Sequence, residues 1–225
     1  MILNIIKIAF HAILANKMRS LLTMLGIIIG VGAIIAMLSL AEGARREVTE
    51  SIRKMGTNLL RVRPGMAQVG HVASGAVETL KIEDALAIKE TIPGIHRTSP
   101  AMANQGQIKY SAKNTATLIT GTTPEFMDIN NFIIEQGRFL EPIDARLMKK
   151  VAVLGATVKK DLFGDGIAIG EWIKVEGQSF LVIGVMEPKG QTSWRDPDDQ
   201  IFVPVTTFGK RLFDQEHLND IFIQV

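Results

Sequence analysis

The sequence predicts an α+β chain carried on one N-terminal membrane-spanning helix, and three observations point to it. Residues 20–41 contain no charged side chain. Residues 58–122 run through segments patterned as strand, helix, strand and strand. From residue 151 onward, short apolar runs are separated by Gly, Pro and Asp clusters. The first observation gives the membrane helix. The other two give an outer portion in which one helix packs on a sheet and a β-rich stretch follows.

At a rise of about 1.5 Å per residue, 20–41 is long enough as a helix to cross a hydrocarbon core of about 30 Å. A soluble helix of this length would show a polar face, whereas this one offers only small hydroxyl residues. Within it Gly26 and Gly30 form a GxxxG, with Gly32 and Ala36 close by. Small residues let another helix approach closely, so Gly26, Gly30 and Gly32 are the candidate helix-packing residues. A cleaved signal peptide is the competing reading, and Ser39-Leu40-Ala41 resembles a cleavage site. The apolar run is longer than a signal core and a long segment precedes it, which favours the anchor.

The charge is distributed unevenly. The 25 Lys+Arg and 23 Asp+Glu leave a formal net charge of +2, and Lys7, Lys17 and Arg19 all precede the first acid, Glu42. The basic excess therefore belongs to the membrane end, and nucleic acid is not an implied partner. A short basic flank suits the cytoplasm, which places the N-terminus inside. Arg45, Arg46, Arg53 and Lys54 follow the span closely, but long domains translocate despite such charges. With no cysteine, a disulfide framework, thiol chemistry and a zinc–thiolate site are excluded.

In chain order, residues 1–19 read as an interfacial helix on the cytoplasmic side, with Lys7 and His11 sharing one face and Ile6, Phe10, Ile13 and Leu14 the other. Residues 20–41 are the span. Residues 42–56 continue as a stalk helix with Val48, Ile52 and Met55 on one stripe, Gly56 as its stop and Gly43 as a weak point. A strand is expected over 58–64, a flexible Gly-rich loop over 65–79 and an amphipathic helix over 81–91, with Glu83 and Asp84 in its first turn. Strands are expected at 95–100, 105–111 and 115–122, with a hairpin turn at Lys113-Asn114. A domain boundary is placed near 126–136. Beyond it come a strand at 151–154, a helix at 156–163 closed by Gly164, and paired strands at 171–175 and 179–186. A loop at 187–200, a strand at 200–205, a helix at 207–213 and a last strand at 220–225 complete the chain.

The motifs of several chemistries are missing. There is no P-loop and no GxSxG elbow. His11, His71, His96 and His217 are scattered rather than set at metal-ligand spacing. Asp196, Asp198 and Asp199 lack the later Gly and Glu of a calcium loop and read as an exposed acidic turn. Trp194 beside Arg195 is a candidate exposed contact or a side chain folded back onto the domain. No catalytic residue, cofactor site or metal site is assigned, and the chain is not read as an enzyme.

Several stretches together resemble one family. They are NKMRSLLTMLGIIIGVGAIIAMLSLAEGA (16–44), IRKMGTNLLRVRPG (52–65), EDALAIKETIPGI (83–95), TGTTPEF (120–126), GRF (137–139), VAVLGATVKKDLFG (151–164) and DPDDQIFVPVTTF (196–208). In this order they resemble the start of an ABC-transporter permease of the MacB/FtsX type. Lys81 departs from the helix-capping hydroxyl often found in that family.

The resemblance implies an extracytoplasmic, porter-like βαβ-type unit over 57–130, an inserted small β-rich subdomain over 131–216 and a return strand over 217–225. It implies a place in the cell (inner) membrane with the main domain outside. It also implies a cytoplasmic ATP-binding subunit, a homodimer or paralogous permease partner, contact with membrane lipid and room for a periplasmic adaptor. The family's later membrane helices do not follow the closing DIFIQV, so a fragment or a truncated product is expected. The implied function is a permease component, of the export or mechanotransmission type, that couples ATP hydrolysis by its partner to movement of the outer domain. The alternative is a single-pass, membrane-anchored binding or adaptor module. An anchored enzyme is the weakest reading, because no catalytic constellation appears.

Overall fold

The computed structural model describes residues 8, 15–55, 59–69, 72–76, 79–190 and 196–225. It separates into two compact units, 1–52 and 53–225. Most of the interfacial helix expected over 1–19, the Gly56 stop and the Trp194-Arg195 pair lie outside the described residues.

Helix α1, Lys17–Met55, is continuous for 39 residues, a length of about 58 Å at helical rise. Its apolar part is long enough to cross a membrane, and Leu22, Ile27, Ile34 and Leu38 are all exposed along it. The Thr23 hydroxyl donates back to the carbonyls of Arg19 and Ser20, each at 3.0 Å, so this polar side chain finds its partners within the helix. Gly43 does not interrupt the helix. Glu42 and Arg46, four residues apart, pair at 3.2 Å on its surface.

The second unit is built on a nine-stranded sheet. Its strands are β1 (Leu59–Val62), β4 (Arg97–Tyr110), β5 (Lys113–Thr122), β6 (Ile134–Gly137), β7 (Val151–Leu154), β8 (Trp172–Val175), β9 (Gln178–Met186), β10 (Gln200–Pro204) and β11 (Asp220–Gln224). A separate hairpin pairs β2 (Met66–Val69) with β3 (Val72–Ala76). The helices are α2 (Ile82–Thr91), α3 (Glu125–Ile129), α4 (Pro142–Arg146), α5 (Ala156–Phe163) and α6 (Val205–Thr207), which runs on as a π-helix over Phe208–Phe213.

The sheet order is β1-β11-β4-β5-β10-β7-β9-β6, and β8 joins β9 to the far end of β4. Strands β4, β5, β10, β7, β9 and β8 therefore pair around a closed ring. Closure removes free edges from this part of the sheet. The long strand β4 makes it possible: its first half pairs with β11, and Ile108 and Lys109 near its end pair with β8.

Alternation along the strands creates two cores. Ile201 and Val203 of β10, with Ala152 and Leu154 of β7, join Phe180, Val182, Ile108 and Ile119 in the first, and Val158 and Leu162 of α5 complete it. Phe202, Val151 and Val153 point the other way, into a second core with Phe126, Phe132, Phe139 and Phe222. The Phe202 ring meets the rings of Phe126, Phe132 and Phe139 at 5.5, 5.4 and 5.6 Å, within the range favourable for aromatic pairs.

Four expectations need correction. Residues 65–79 are not all loop, because 66–69 and 72–76 pair as strands; the glycines and small polar residues spread through 65–79 mask the short strand signal. The strands expected at 95–100 and 105–111 are one strand, β4. The β4–β5 turn is Ser111-Ala112, not Lys113-Asn114, since Tyr110 faces Lys113 and Ser111 takes the positive φ of 53° that a tight hairpin needs. The last helix starts at Val205 and widens into a π-helix, which brings Phe208 and Phe213 to 4.6 Å. Phe208 also packs over Gly121 of β5, where an added Cβ would lie 2.3 Å from the Phe208 Cβ.

Candidate functional site

A cavity of about 400 Å³ opens on the second unit over the face of β1, β11, β4, β5 and β10. Ala101, Ala103 and Gln105 alternate into it from β4, Leu118 and Thr120 from β5, and Gln200 from β10. The Thr120 hydroxyl donates to Gln200 Oε1 at 3.2 Å, and Gln200 Nε2 donates to the Pro197 carbonyl at 2.7 Å. Phe126, Phe132 and Phe222 bring the edge of the second core to its rim.

Arg61, Asp220 and Lys189 at the rim each have defined partners. Asp220 is buried, and Arg61 grips both of its oxygens, with Nε donating to Oδ1 at 2.5 Å and Nη2 donating to Oδ2. Arg63 Nε adds a third bond to Oδ1 at 2.9 Å. The Arg61 guanidinium lies 5.0 Å from the centre of the Phe222 ring. Lys189 Nζ donates to the Asn130 carbonyl and lies 4.1 Å from the centre of the Phe132 ring. Burial lowers the Lys189 pKa, and the nearby Asp198 charge opposes that shift.

Asp198 corrects the exposed-turn reading. It is 5% exposed, and its carboxylate accepts the backbone N–H groups of Lys189 and Gly190 at 2.9 and 3.0 Å. Asp196 accepts the Asp198 N–H at 2.9 Å and the Thr157 hydroxyl at 3.0 Å. These acids fasten a loop to α5, and among the described residues no group of three acids or histidines is placed to hold a metal ion.

A second polar cluster lies at the Gly137-Arg138-Phe139 stretch. Asp144 is fully buried and accepts Arg138 Nη1 at 2.7 Å, Arg138 Nη2 at 3.2 Å, Lys149 Nζ at 3.0 Å and the Glu141 N–H at 3.0 Å. Burial by itself pushes its pKa up, but the bonds from Arg138, the Glu141 N–H and Lys149 outweigh it and hold the value at about 2. The Thr206 hydroxyl donates to the Ala145 carbonyl at 2.5 Å and the Thr207 hydroxyl to the Lys149 carbonyl at 3.0 Å, which ties α4 to α6.

The three sequence-selected glycines lie on α1, within the first unit. Among the described residues nothing lies within 4 Å of a Cβ added at Gly26, Gly30 or Gly32, so each position has open space there. Sequence reasoning missed both ion clusters. Arg61 and Asp220 are 159 residues apart with no local signal. Arg138 sat within a noted stretch, but its partner Asp144 reads locally as an ordinary first-turn acid.

Comparison with known proteins matches residues 20–225 to the MacB-like periplasmic core domain. The macrolide export ATP-binding/permease protein MacB of Bdellovibrio bacteriovorus is 39% identical over 218 residues, covering 96% of this chain and 34% of that protein. The protein of the same description from Chlorobium luteolum is 36% identical over 225 residues, covering 99% of this chain and 34% of its own length. The chain thus spans about a third of the length of these relatives. Among solved structures, the periplasmic region of MacB from Actinobacillus actinomycetemcomitans superposes with a TM-score of 0.66 at 23% identity, covering 80% of this chain and 79% of that one. The extracellular domain of the noncanonic ABC-type transporter YknZ from Gram-positive bacteria gives 0.60 at 16% identity, covering 74% and 83%. The ring of strands, the two cores and the preceding apolar helix thus have a family, and the chain belongs to the MacB-like periplasmic core domain family.

Proposed function

We propose that this chain is the membrane-anchored outer part of an ABC-transporter permease. Its α1 passes movement driven by ATP hydrolysis to the extracytoplasmic sheet. The observation that carries the reading is the family match over 20–225, which takes in the spanning segment as well as the outer unit. The uninterrupted course of α1 from Lys17 to Met55 supports it, since a continuous helix transmits displacement along its axis. In this reading the N-terminus is cytoplasmic, an ATP-binding unit acts from that side, and residues 57–130, 131–216 and 217–225 form porter-like, inserted and returning parts. Macrolide export, named for the relatives, is the first cargo to test.

The experiment is extraction of the native protein in mild detergent, with its intact mass and co-purifying chains identified. The expected result is an ATP-binding unit, on the same chain or bound to it. A 24.7 kDa species with no ATP-binding unit would leave the single-pass binding or adaptor module instead.

Gly26, Gly30 and Gly32 provide the helix-packing face for a second permease copy in this reading. Gly26→Leu with Gly30→Leu keeps the span apolar while filling the open space at both positions. The expected outcome is a dimer affinity weakened by about 1 kcal/mol or more, read as loss of self-association in detergent or lipid. Unchanged association would remove the face from the account.

A further inference from the structure

Strand β1 is the first described element after α1 along the chain, and it is weakly held. It ends the sheet order and, among the described residues, pairs only with β11, through Leu59↔Gln224, Leu60↔Ile223, Arg61↔Phe222 and Val62↔Ile221. None of its residues is buried, and Leu60 is 55% exposed. A short edge strand with so little apolar burial has a low local opening free energy. Leu59 and Val62 pack only partly against the two cores, and the polar side-chain attachment between β1 and the rest of the sheet is ionic. Arg61 binds Asp220 through two parallel bonds, Arg63 adds its own, and Arg61 stacks over Phe222. The Asp220 side chain is 8% exposed, against 33% for Arg61 and 61% for Arg63, so the carboxylate depends on its partners while they reach solvent. Asp220 also faces Ala101 of β4 in the ladder, so one residue links the first strand to the longest one.

We propose that Asp220, held by Arg61 and Arg63, is a latch through which displacement of the chain leaving α1 is passed to β11 and β4. The latch rests on the motion-transmitting reading above. With the latch closed, β1 moves as part of the sheet. With it open, four ladder positions remain, and β1 peels away before the sheet follows. Asp220 is a positioning residue in this role, since it acts through the two arginines.

The test uses the intact permease with its ATP-binding unit in lipid nanodiscs. Spin-labelled non-natural residues are placed at Ser39 on α1 or at Ala112 in the β4–β5 turn, both exposed. Copy-to-copy distances are read with and without ATP. In the unmodified protein ATP shifts both distances. In Asp220→Asn the shift at 39 persists and the shift at 112 falls by at least half. Residues 1–225 contain no cysteine, so with any cysteine of the remaining permease and ATP-binding unit replaced, Leu59→Cys with Gln224→Cys, facing each other in the ladder, can be added to Asp220→Asn as the one oxidisable pair. Oxidation restores the shift at 112 and reduction abolishes it again, an outcome that misfolding would not give. A full shift at 112 in Asp220→Asn, or no recovery on oxidation, overturns the latch and leaves the functional reading standing. No ATP response at either position in the unmodified protein overturns the reading and the latch together.

Discussion

Asp144→Asn is expected to destabilise the outer unit by about 3 kcal/mol, which is roughly a 6–12 °C fall in midpoint for a domain of this size. The carboxylate has no exposure and accepts bonds from Arg138, Lys149 and the Glu141 N–H. The amide keeps the volume but turns one acceptor into a donor aimed at donors and leaves the arginine without its counter-charge. Arg138 and Lys149 are 38% and 39% exposed and recover some hydration, which keeps the loss near the lower end of the range for broken buried pairs. Thermal unfolding of the detergent-solubilised protein reads the change. Glu42→Gln, which breaks the exposed pair with Arg46, is the control and should leave the midpoint unchanged. Equal midpoints for the two variants would show that the buried cluster does not hold this corner.

The same carboxylate gives the pH dependence. Its folded pKa is about 2 against an ordinary 3.8. A depressed acid binds its proton more readily when unfolded, so its contribution is fully present above about pH 4 and is lost as the pH falls toward 2. The amount is about 2 kcal/mol. Asp144→Asn should therefore flatten the acid limb of the stability curve as well as lower it.

The fold was legible in the sequence wherever one local pattern was enough. The span declared itself by a charge-free run, α2 by Ile82, Ala85 and Ile88 on one side, and β7 by four apolar residues in a row, all of them buried. The ring of strands was not legible, because β10 lies parallel beside β5 and β8 returns to β4 through pairings distant in sequence. The short helices α3 and α4, five residues each, are also below the reach of periodicity. At the cavity, the sequence places Arg61 in a strand over 58–64 and Asp220 at the start of a strand over 220–225, and neither pattern points to the other. Only the β1–β11 ladder brings them together. Asp198 looked exposed because its hydrogen bonds go to backbone N–H groups, which carry no mark in a sequence.

Gly137→Ala is expected to be more damaging than the loss of the buried carboxylate, at about 4 kcal/mol, for two separable reasons. Its φ of 77° lies in the left-handed region, where a Cβ alone costs about 1–2 kcal/mol. An added Cβ would also lie 2.2 Å from the Ile183 carbonyl oxygen, 2.8 Å from Ile169 Cδ1 and 3.1 Å from the Gly184 Cα. The nearest of these is backbone and cannot swing aside. The contact is reciprocal, because a Cβ at Gly184 would lie 2.2 Å from the Arg138 carbonyl oxygen. Two glycines thus let β6 and β9 approach closely, and the Arg138 N–H donates to the Ile183 carbonyl at 3.0 Å next to them. Gly170→Ala isolates the first reason, since its φ is 86° and nothing lies within 4 Å of the added Cβ. The difference between the two midpoints measures the close approach, and a midpoint for Gly137→Ala no lower than that for Gly170→Ala would show that β6 can shift to admit a methyl group. A large difference would mean that β6 has no slack, and that the Arg138–Asp144 cluster beside it is fixed by backbone contact as well as by charge.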